Sequence, residues 1–250
     1  RALSELKANF VADVSHELKT PLALIRLFAE TLQAGRVLSD EKRNEYYSVI
    51  LRESTRLTNL INNILDFSRI DAGRKEYILQ PTDMANVVRE TYDAYRPQLD
   101  HEGFEHHLTI DDPLPRVAAD RDAISQVLVN LINNAIKYSG HERYLAIEVA
   151  ADTRRGRRGV LLSVHDRGIG IRPEDRAHLT EGFFRAGDPR VREQGGTGLG
   201  LALVKNIVDA HFGSLDIETR LVKGSTFRVV LPASADDTSR GLQPARSGEP

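Results

Sequence analysis

The run Ser15-His16-Glu17-Leu18-Lys19-Thr20-Pro21-Leu22 places an imidazole beside a carboxylate and one turn before a hydroxyl. A neutral imidazole is a nucleophile, and an adjacent acid can take or hold the proton on its second nitrogen. At about 100° per residue, Phe10, Val14, Leu18, Leu22 and Ile25 line up as one apolar stripe of an amphipathic helix. His16 falls opposite that stripe, and Thr20 lies one turn further along the same outer face. Pro21 has no N–H to give the Glu17 carbonyl, so a bend is expected just after the histidine. Taken alone, these residues also describe an ordinary surface histidine, and the remaining motifs must decide between the two.

Three constellations in the second half of the chain bear on that choice. A helical pattern opening at the candidate cap Asp120 buries Ile124, Val127, Leu128, Leu131, Ala135 and Tyr138, with Asn130, Asn134 and Lys137 together on one flank at i, i+4 and i+7. Asn133 points away from them. Amide oxygens suit Mg²⁺ and a lysine supplies a point charge for phosphate, although the same flank also reads as a polar border. In Val160-Leu161-Leu162-Ser163-Val164-His165-Asp166, strand alternation puts Asp166 on the apolar face with Val160, Leu162 and Val164. A carboxylate there needs a partner. It is placed to accept a hydrogen bond from a planar ring amine such as adenine's, or it simply closes an Asp-x-Gly turn into Gly168-Ile169-Gly170-Ile171. Finally, Gly195-Gly196-Thr197-Gly198-Leu199-Gly200 runs into the apolar helix Leu201-Ala202-Leu203-Val204, leaving backbone N–H groups to face phosphate oxygens. It matches neither the P-loop nor the dinucleotide fingerprint, and the polar, loop-like stretch 186–193 before it suggests a mobile lid.

The elements that must carry these groups divide the 250 residues into two parts. Residues 1–70 hold two long helical patterns separated near 35–40, where Ser39 or Asp40 can cap the second helix. Tyr46, Ile50, Leu57, Leu60, Ile61 and Ile64 form its stripe. Two one-sided antiparallel helices cannot bury both faces alone, so pairing with a second hairpin into a dimeric four-helix bundle is expected. Beyond 70, strand-like runs at 105–111, 144–151, 159–166, 214–220 and 225–231 mix with helical runs at 83–100, 120–138, 173–180 and 197–212. The fold class is therefore α+β: a helical hairpin followed by an α/β sandwich with helices on one sheet face. A net charge of −2 gives no argument for nucleic acid or an anionic membrane as partner. The absence of cysteine excludes disulfides, thiolate metal sites and a cysteine nucleophile. No apolar run approaches the ~20 residues of a membrane span, and no signal-peptide pattern occurs. A chain opening on Arg1 reads as part of a longer protein.

In this order the motifs resemble the transmitter core of sensor histidine kinases, over about residues 5–232. VSHELKTPL resembles the H box and NLINNAIKYS the N box. DRGIGI and GGTGLGLALV resemble the two glycine boxes, and EGFFR the F box. The resemblance implies a dimerisation and histidine-phosphotransfer hairpin at 1–72, a linker at 73–81, an ATP-binding catalytic domain at 82–232 and a disordered tail at 233–250. It implies that His16 is the phospho-acceptor, Glu17 its orienting acid, and Thr20 the residue that positions water for phosphatase action on a phosphorylated regulator. ATP and Mg²⁺ are the implied ligands, with the metal on Asn134. Asn130, Lys137, Tyr138, Asp166 (adenine amine), Gly168, Gly170, Ile171, Arg185, Gly196, Thr197, Gly198, Leu199, Gly200 and Thr226 form the rest of the nucleotide site. The implied partners are a second copy and a response-regulator receiver domain, met through exposed hairpin residues such as Arg26, Glu30, Arg56 and Asn59. The implied location is the cytoplasmic part of an inner-membrane-anchored sensor, tethered only through an upstream segment. The F box departs from the family at Thr180, usually phenylalanine, and at Phe184, often tyrosine. Gyrase-type and heat-shock-chaperone ATPases share the pocket motifs but have no use for an exposed histidine in a SHELKTPL helix.

Overall fold

The computed structural model describes residues 2–37, 39–153, 158–194 and 196–235. Its contacts fall into two compact units, one of residues 1–75 and 181–200, the other of residues 76–180 and 201–250.

The first unit is built on two 32-residue helices, α1 (Ala2–Gln33) and α2 (Asp40–Asp71), packed as an antiparallel hairpin. Ser39 caps α2 by accepting the Lys42 N–H at 3.2 Å, with Asp40 and Glu41 in the first turn where the helix dipole favours acids. Helix α1 runs through Pro21 as one continuous element. Thr20 Oγ1 donates back to the His16 carbonyl at 3.2 Å in the same turn. The stripe residues Val14, Leu18 and Ile25 are partly covered, whereas Leu22 and Ile61 stay 57% and 42% exposed. The side chain of Phe10 lies outside the described set. Val11, Leu22 and Leu27 on α1, and Tyr47, Leu51 and Leu65 on α2, are each more than half exposed. A single hairpin therefore leaves much of its apolar surface uncovered, as one-sided helices must.

The second unit is a five-stranded mixed sheet with helices against one face. Its elements in chain order are β1 (Gln80–Thr82), α3 (Met84–His101), β2 (Glu105–Ile110), β3 (Val117–Ala119), α4 (Arg121–Tyr138), β4 (Tyr144–Asp152), β5 (Gly159–Asp166) and α5 (Pro173–Arg176). Beyond α5 lie α6 (Pro189–Glu193) of the first unit, then α7 (Gly200–Ala210), β6 (Ser214–Arg220) and β7 (Gly224–Pro232). The sheet order is β2-β4-β5-β7-β6, parallel between β2 and β4 and antiparallel elsewhere. Register puts Leu145, Ile147 and Val149 of β4 beside Asp166, Val164 and Leu162 of β5, and these beside Ser225, Phe227 and Val229 of β7. All of these are buried, as are Ile124, Val127, Leu128 and Leu131 of α4, Val88 and Leu99 of α3, and Leu203 and Ile207 of α7. Period-two strands and period-3.6 helices meet in this one core.

Several expected boundaries move. The antiparallel pair β1–β3 was not among the expected strands, because three residues are too few for alternation to register. The helix expected over 173–180 ends at Arg176, and the one expected over 197–212 begins at Gly200 and ends at Ala210. The stretch expected as loop contains α6, opened by Pro189, a residue suited to a first helical turn. Order also continues past Pro232, since Ala233 bridges Val117 and the Ser234 N–H reaches the Arg116 carbonyl at 2.8 Å. The rest of the expected tail, 236–250, lies outside the described residues.

Candidate functional site: an adenine-type cradle and an exposed histidine

Asp166 closes β5 at 7% exposure, on the apolar face as its alternation requires. Its Oδ1 accepts two backbone N–H groups, from Gly168 at 2.8 Å and Ser225 at 3.2 Å. Among the described residues Oδ2 receives none, so one oxygen is fixed and the other is open to a ligand donor. Burial is the largest influence on this carboxyl and pushes it above the usual carboxylate range, while the two N–H groups and His165 pull the other way.

Backbone packs on backbone around this acid. Gly168 forms a bridge with Ser139, and the Ile169 N–H donates to the Tyr138 carbonyl at 3.1 Å, tying the turn to the end of α4. A Cβ on Gly168 would overlap that carbonyl, and one on Gly224 would overlap the Asp166 carbonyl. Gly170 has φ +68°, and a Cβ there would meet the Arg220 carbonyl oxygen, so only glycine fits the turn. The Ile171 N–H then donates to Thr219 Oγ1 at 2.9 Å.

Helix α4 starts where Asp120 accepts the N–H groups of Asp122 and Ala123, both at 3.1 Å. Its flank is as spaced: Asn130 is buried and donates to the Gln126 carbonyl at 2.8 Å, while Asn134 and Lys137 are half-buried. The Asn134 side chain makes no hydrogen bond among the described residues. Lys137 Nζ sits 5.1 Å from the Tyr138 ring centroid. Asn133 leaves this flank and donates to Tyr95 Oη at 3.1 Å.

Thr226 pairs in register with His165, and its hydroxyl lies 2.9 Å from His165 Nδ1, on the sheet face opposite Asp166. Ser225 holds the place beside Asp166. The signal was present, because Ser225, Phe227, Val229 and Leu231 alternate as one buried row.

The other candidates group in the first unit. His16 is exposed, and no described residue hydrogen-bonds its ring. Glu17 is turned inward and ion-pairs with Arg56 of α2 at 3.3 Å, while Thr20 is exposed. Arg56 is thus already engaged, and Arg26 and Glu30 pair with each other at 2.6 Å. Arg185 reaches Asp13, one turn before His16, at 3.4 Å, and donates to the Val191 carbonyl at 3.2 Å. Phe183, at φ +71°, sets its ring edge-on to Phe67 at 5.0 Å. A Cβ on Gly182 would lie 2.7 Å from the same Phe67 ring. Gly196 and Gly198 take φ +118° and +69°, and a Cβ on Gly198 would lie 2.6 Å from the Phe184 carbonyl oxygen. Thr197 is half-buried, Leu199 is fully buried, and Gly200 begins α7. Among the described residues no group of three metal-ligating acids, histidines or cysteines occurs, and no helix is long and apolar enough to cross a membrane.

A mixed sheet faced by helices, with a buried aspartate before a glycine turn and an asparagine-bearing helix beside it, defines an ATP-binding domain of the class described as histidine kinase-, DNA gyrase B- and HSP90-like ATPases. That class matches residues 119–235. Residues 6–73 match the phospho-acceptor domain described as His Kinase A. The chain belongs to the sensor histidine kinases, as their transmitter core. The sensor protein SrrB of Staphylococcus aureus is 34% identical over 231 residues, covering 92% of this chain and 39% of that protein. The chain thus spans well under half the length of the curated relatives it matches. Among solved structures, the Acinetobacter baumannii histidine kinase AdeS superposes with a TM-score of 0.61 at 26% identity, covering 88% of this chain and 98% of that one. The histidine kinase ThkA, solved in complex with the response regulator TrrA, gives 0.60 at 26% identity, covering 94% and 64%. Full-length ShkA, solved with AMPPNP, gives 0.61 at 29%, covering 90% and 46%.

Proposed function

We propose that this chain transfers the γ-phosphoryl group of ATP to His16 and then to an aspartate of a response-regulator receiver domain, acting as a homodimer. The observation that carries the reading is the exposed imidazole of His16, without a hydrogen-bond partner among the described residues, beside Glu17 in a chain that also holds the Asp166 cradle. Asp166 Oδ2 accepts from the adenine amine while Oδ1 is held by Gly168 and Ser225. Gly168, Gly170 and Ile171 bring backbone close to the ring, and Tyr138 and the aliphatic part of Lys137 border it. Within the second unit Asn130, Asn134 and Lys137 are assigned to the phosphates; Arg185, Gly196, Thr197, Gly198, Leu199 and Gly200 are assigned to the nucleotide by the family resemblance alone. The open amide of Asn134 fits a hard cation, and Mg²⁺ held there would neutralise phosphate charge.

A nitrogen of neutral His16 attacks the γ-phosphorus, the N–P bond forms as the bond to the ADP oxygen breaks, and Glu17 takes the proton from the other ring nitrogen. Phosphoryl transfer asks mostly for positioning and charge neutralisation, which suits a nucleophile on one domain and a donor site on another. The ThkA–TrrA complex supports a receiver domain as the next acceptor, and ShkA bound to AMPPNP supports the nucleotide site. To Thr20, exposed and one turn beyond His16, the reading gives the role of orienting a water against a phosphorylated regulator. The domain division that goes with this reading is 1–72, a linker at 73–81, and 82–232. His16→Gln tests it: labelling from γ-labelled ATP is expected to vanish while ATP-analogue binding stays within about twofold. Undiminished labelling overturns it.

A further inference from the structure

We infer that Arg56 is a positioning residue for phosphorylation of His16, acting through Glu17; the inference rests on the function proposed above. At the level of the histidine the two hairpin helices are joined by a guanidinium shared between two carboxylates. Arg56 Nη2 lies 3.3 Å from Glu17 Oε2, and its Nη1 lies 3.7 Å from Glu53 Oε2. Arg52 Nε stands 3.6 Å from Glu53 Oε1. The side chains of Glu17 and Glu53 are only 13% and 9% exposed, although Arg56 itself is 50% exposed.

Two features set this cluster apart from a decorative surface pair. Glu53 Oε2 is buried and accepts no hydrogen bond among the described residues, an expensive place for a carboxylate unless its charge does something. Arg56 also engages only one oxygen of Glu17, and no described residue hydrogen-bonds Oε1. A glutamate on a helix surface ordinarily samples many rotamers. Here one carboxylate oxygen is anchored across the hairpin and the other is left to meet the ring N–H of the adjacent His16. Oriented carboxylates serve imidazoles in this way wherever the tautomer and ring plane must be set before attack. Glu53 in turn holds the guanidinium.

Three variants of the full chain test the assignment: Arg56→Met, which keeps the aliphatic stem, Arg56→Lys, which keeps the charge, and Glu53→Gln. Arg56→Met is expected to lower the autophosphorylation rate at saturating ATP about tenfold with the KM for ATP unchanged, Arg56→Lys to recover most of it, and Glu53→Gln to fall between. Equal rates in Arg56→Met and the parent overturn the inference. So does a loss confined to transfer onto a receiver domain, which makes Arg56 a partner contact, or a rise in KM alone. A parent chain without label on His16 is a different result, and overturns the proposed function itself.

Discussion

Ser225 of β7 donates its backbone N–H to Asp166 of β5 at 3.2 Å, on the same carboxylate oxygen that Gly168 reaches. Among the described residues the acid's hydrogen bonds therefore come from main chain. Its side chain is raised above the usual carboxylate range, chiefly by burial. A raised folded-state value means that its contribution to stability is full below the unfolded carboxylate range, near pH ~4, and is lost as pH rises through the folded value. Asp166→Asn keeps an oxygen for both N–H groups and carries no charge. The variant is expected to unfold at a higher temperature than the parent at pH 7, with the advantage vanishing toward pH ~4, by scanning calorimetry. Its affinity for an ATP analogue is expected to fall about 100-fold, because a neutral amide replaces the charged acceptor. A variant less stable than the parent at pH 7 contradicts this account of the acid.

Gly170 is the tightest position of the glycine turn. Alanine there must bear φ +68° and displace the Arg220 carbonyl. A loss of about 2–4 kcal/mol is expected by urea unfolding. A loss below about 0.5 kcal/mol means that the turn can relax.

His211 has no exposed surface, yet both ring nitrogens are used. Nδ1 donates to the Ile207 carbonyl at 2.7 Å, and Nε2 accepts the Asp120 N–H at 3.0 Å, joining the end of α7 to the cap of α4. Tyr77 packs edge-on against the ring, centroids 5.3 Å apart. His211→Ala leaves the Asp120 N–H without its acceptor and opens a cavity, for a loss of about 3–4 kcal/mol by the same unfolding experiment. An unchanged midpoint refutes the bridging role.

Dimerisation is expected through the apolar surface that the hairpin leaves uncovered. Leu51 is 68% exposed in the single chain. Light scattering is expected to give twice the 27.9 kDa chain mass for the parent and the single mass for Leu51→Glu. A monomeric parent contradicts the bundle.

Much of this architecture was legible because its signals are local. The α4 stripe, the alternation ending at Asp166, the cap at Asp120 and the choice of Ser39 or Asp40 for α2 depend on residues a few positions apart. What escaped depends on register or on distance along the chain. That Ser225 lies beside Asp166 and Thr226 beside His165 turns on a one-residue difference in which sheet face is read. The β1–β3 pair joins segments too short to carry a pattern of their own. The pairing of Arg56 with Glu17 bridges two helices, 39 positions apart, so no local pattern announces it.

The central claim is that His16 takes a phosphoryl group from ATP held by the same kind of chain. Its most direct test is to incubate the parent with γ-labelled ATP and Mg²⁺, then locate the label by peptide mapping under alkaline conditions. One phosphoryl group on His16, stable to base and lost in acid, is the predicted result. Label on any other residue, or ATP hydrolysis with no phosphoprotein at all, would contradict it.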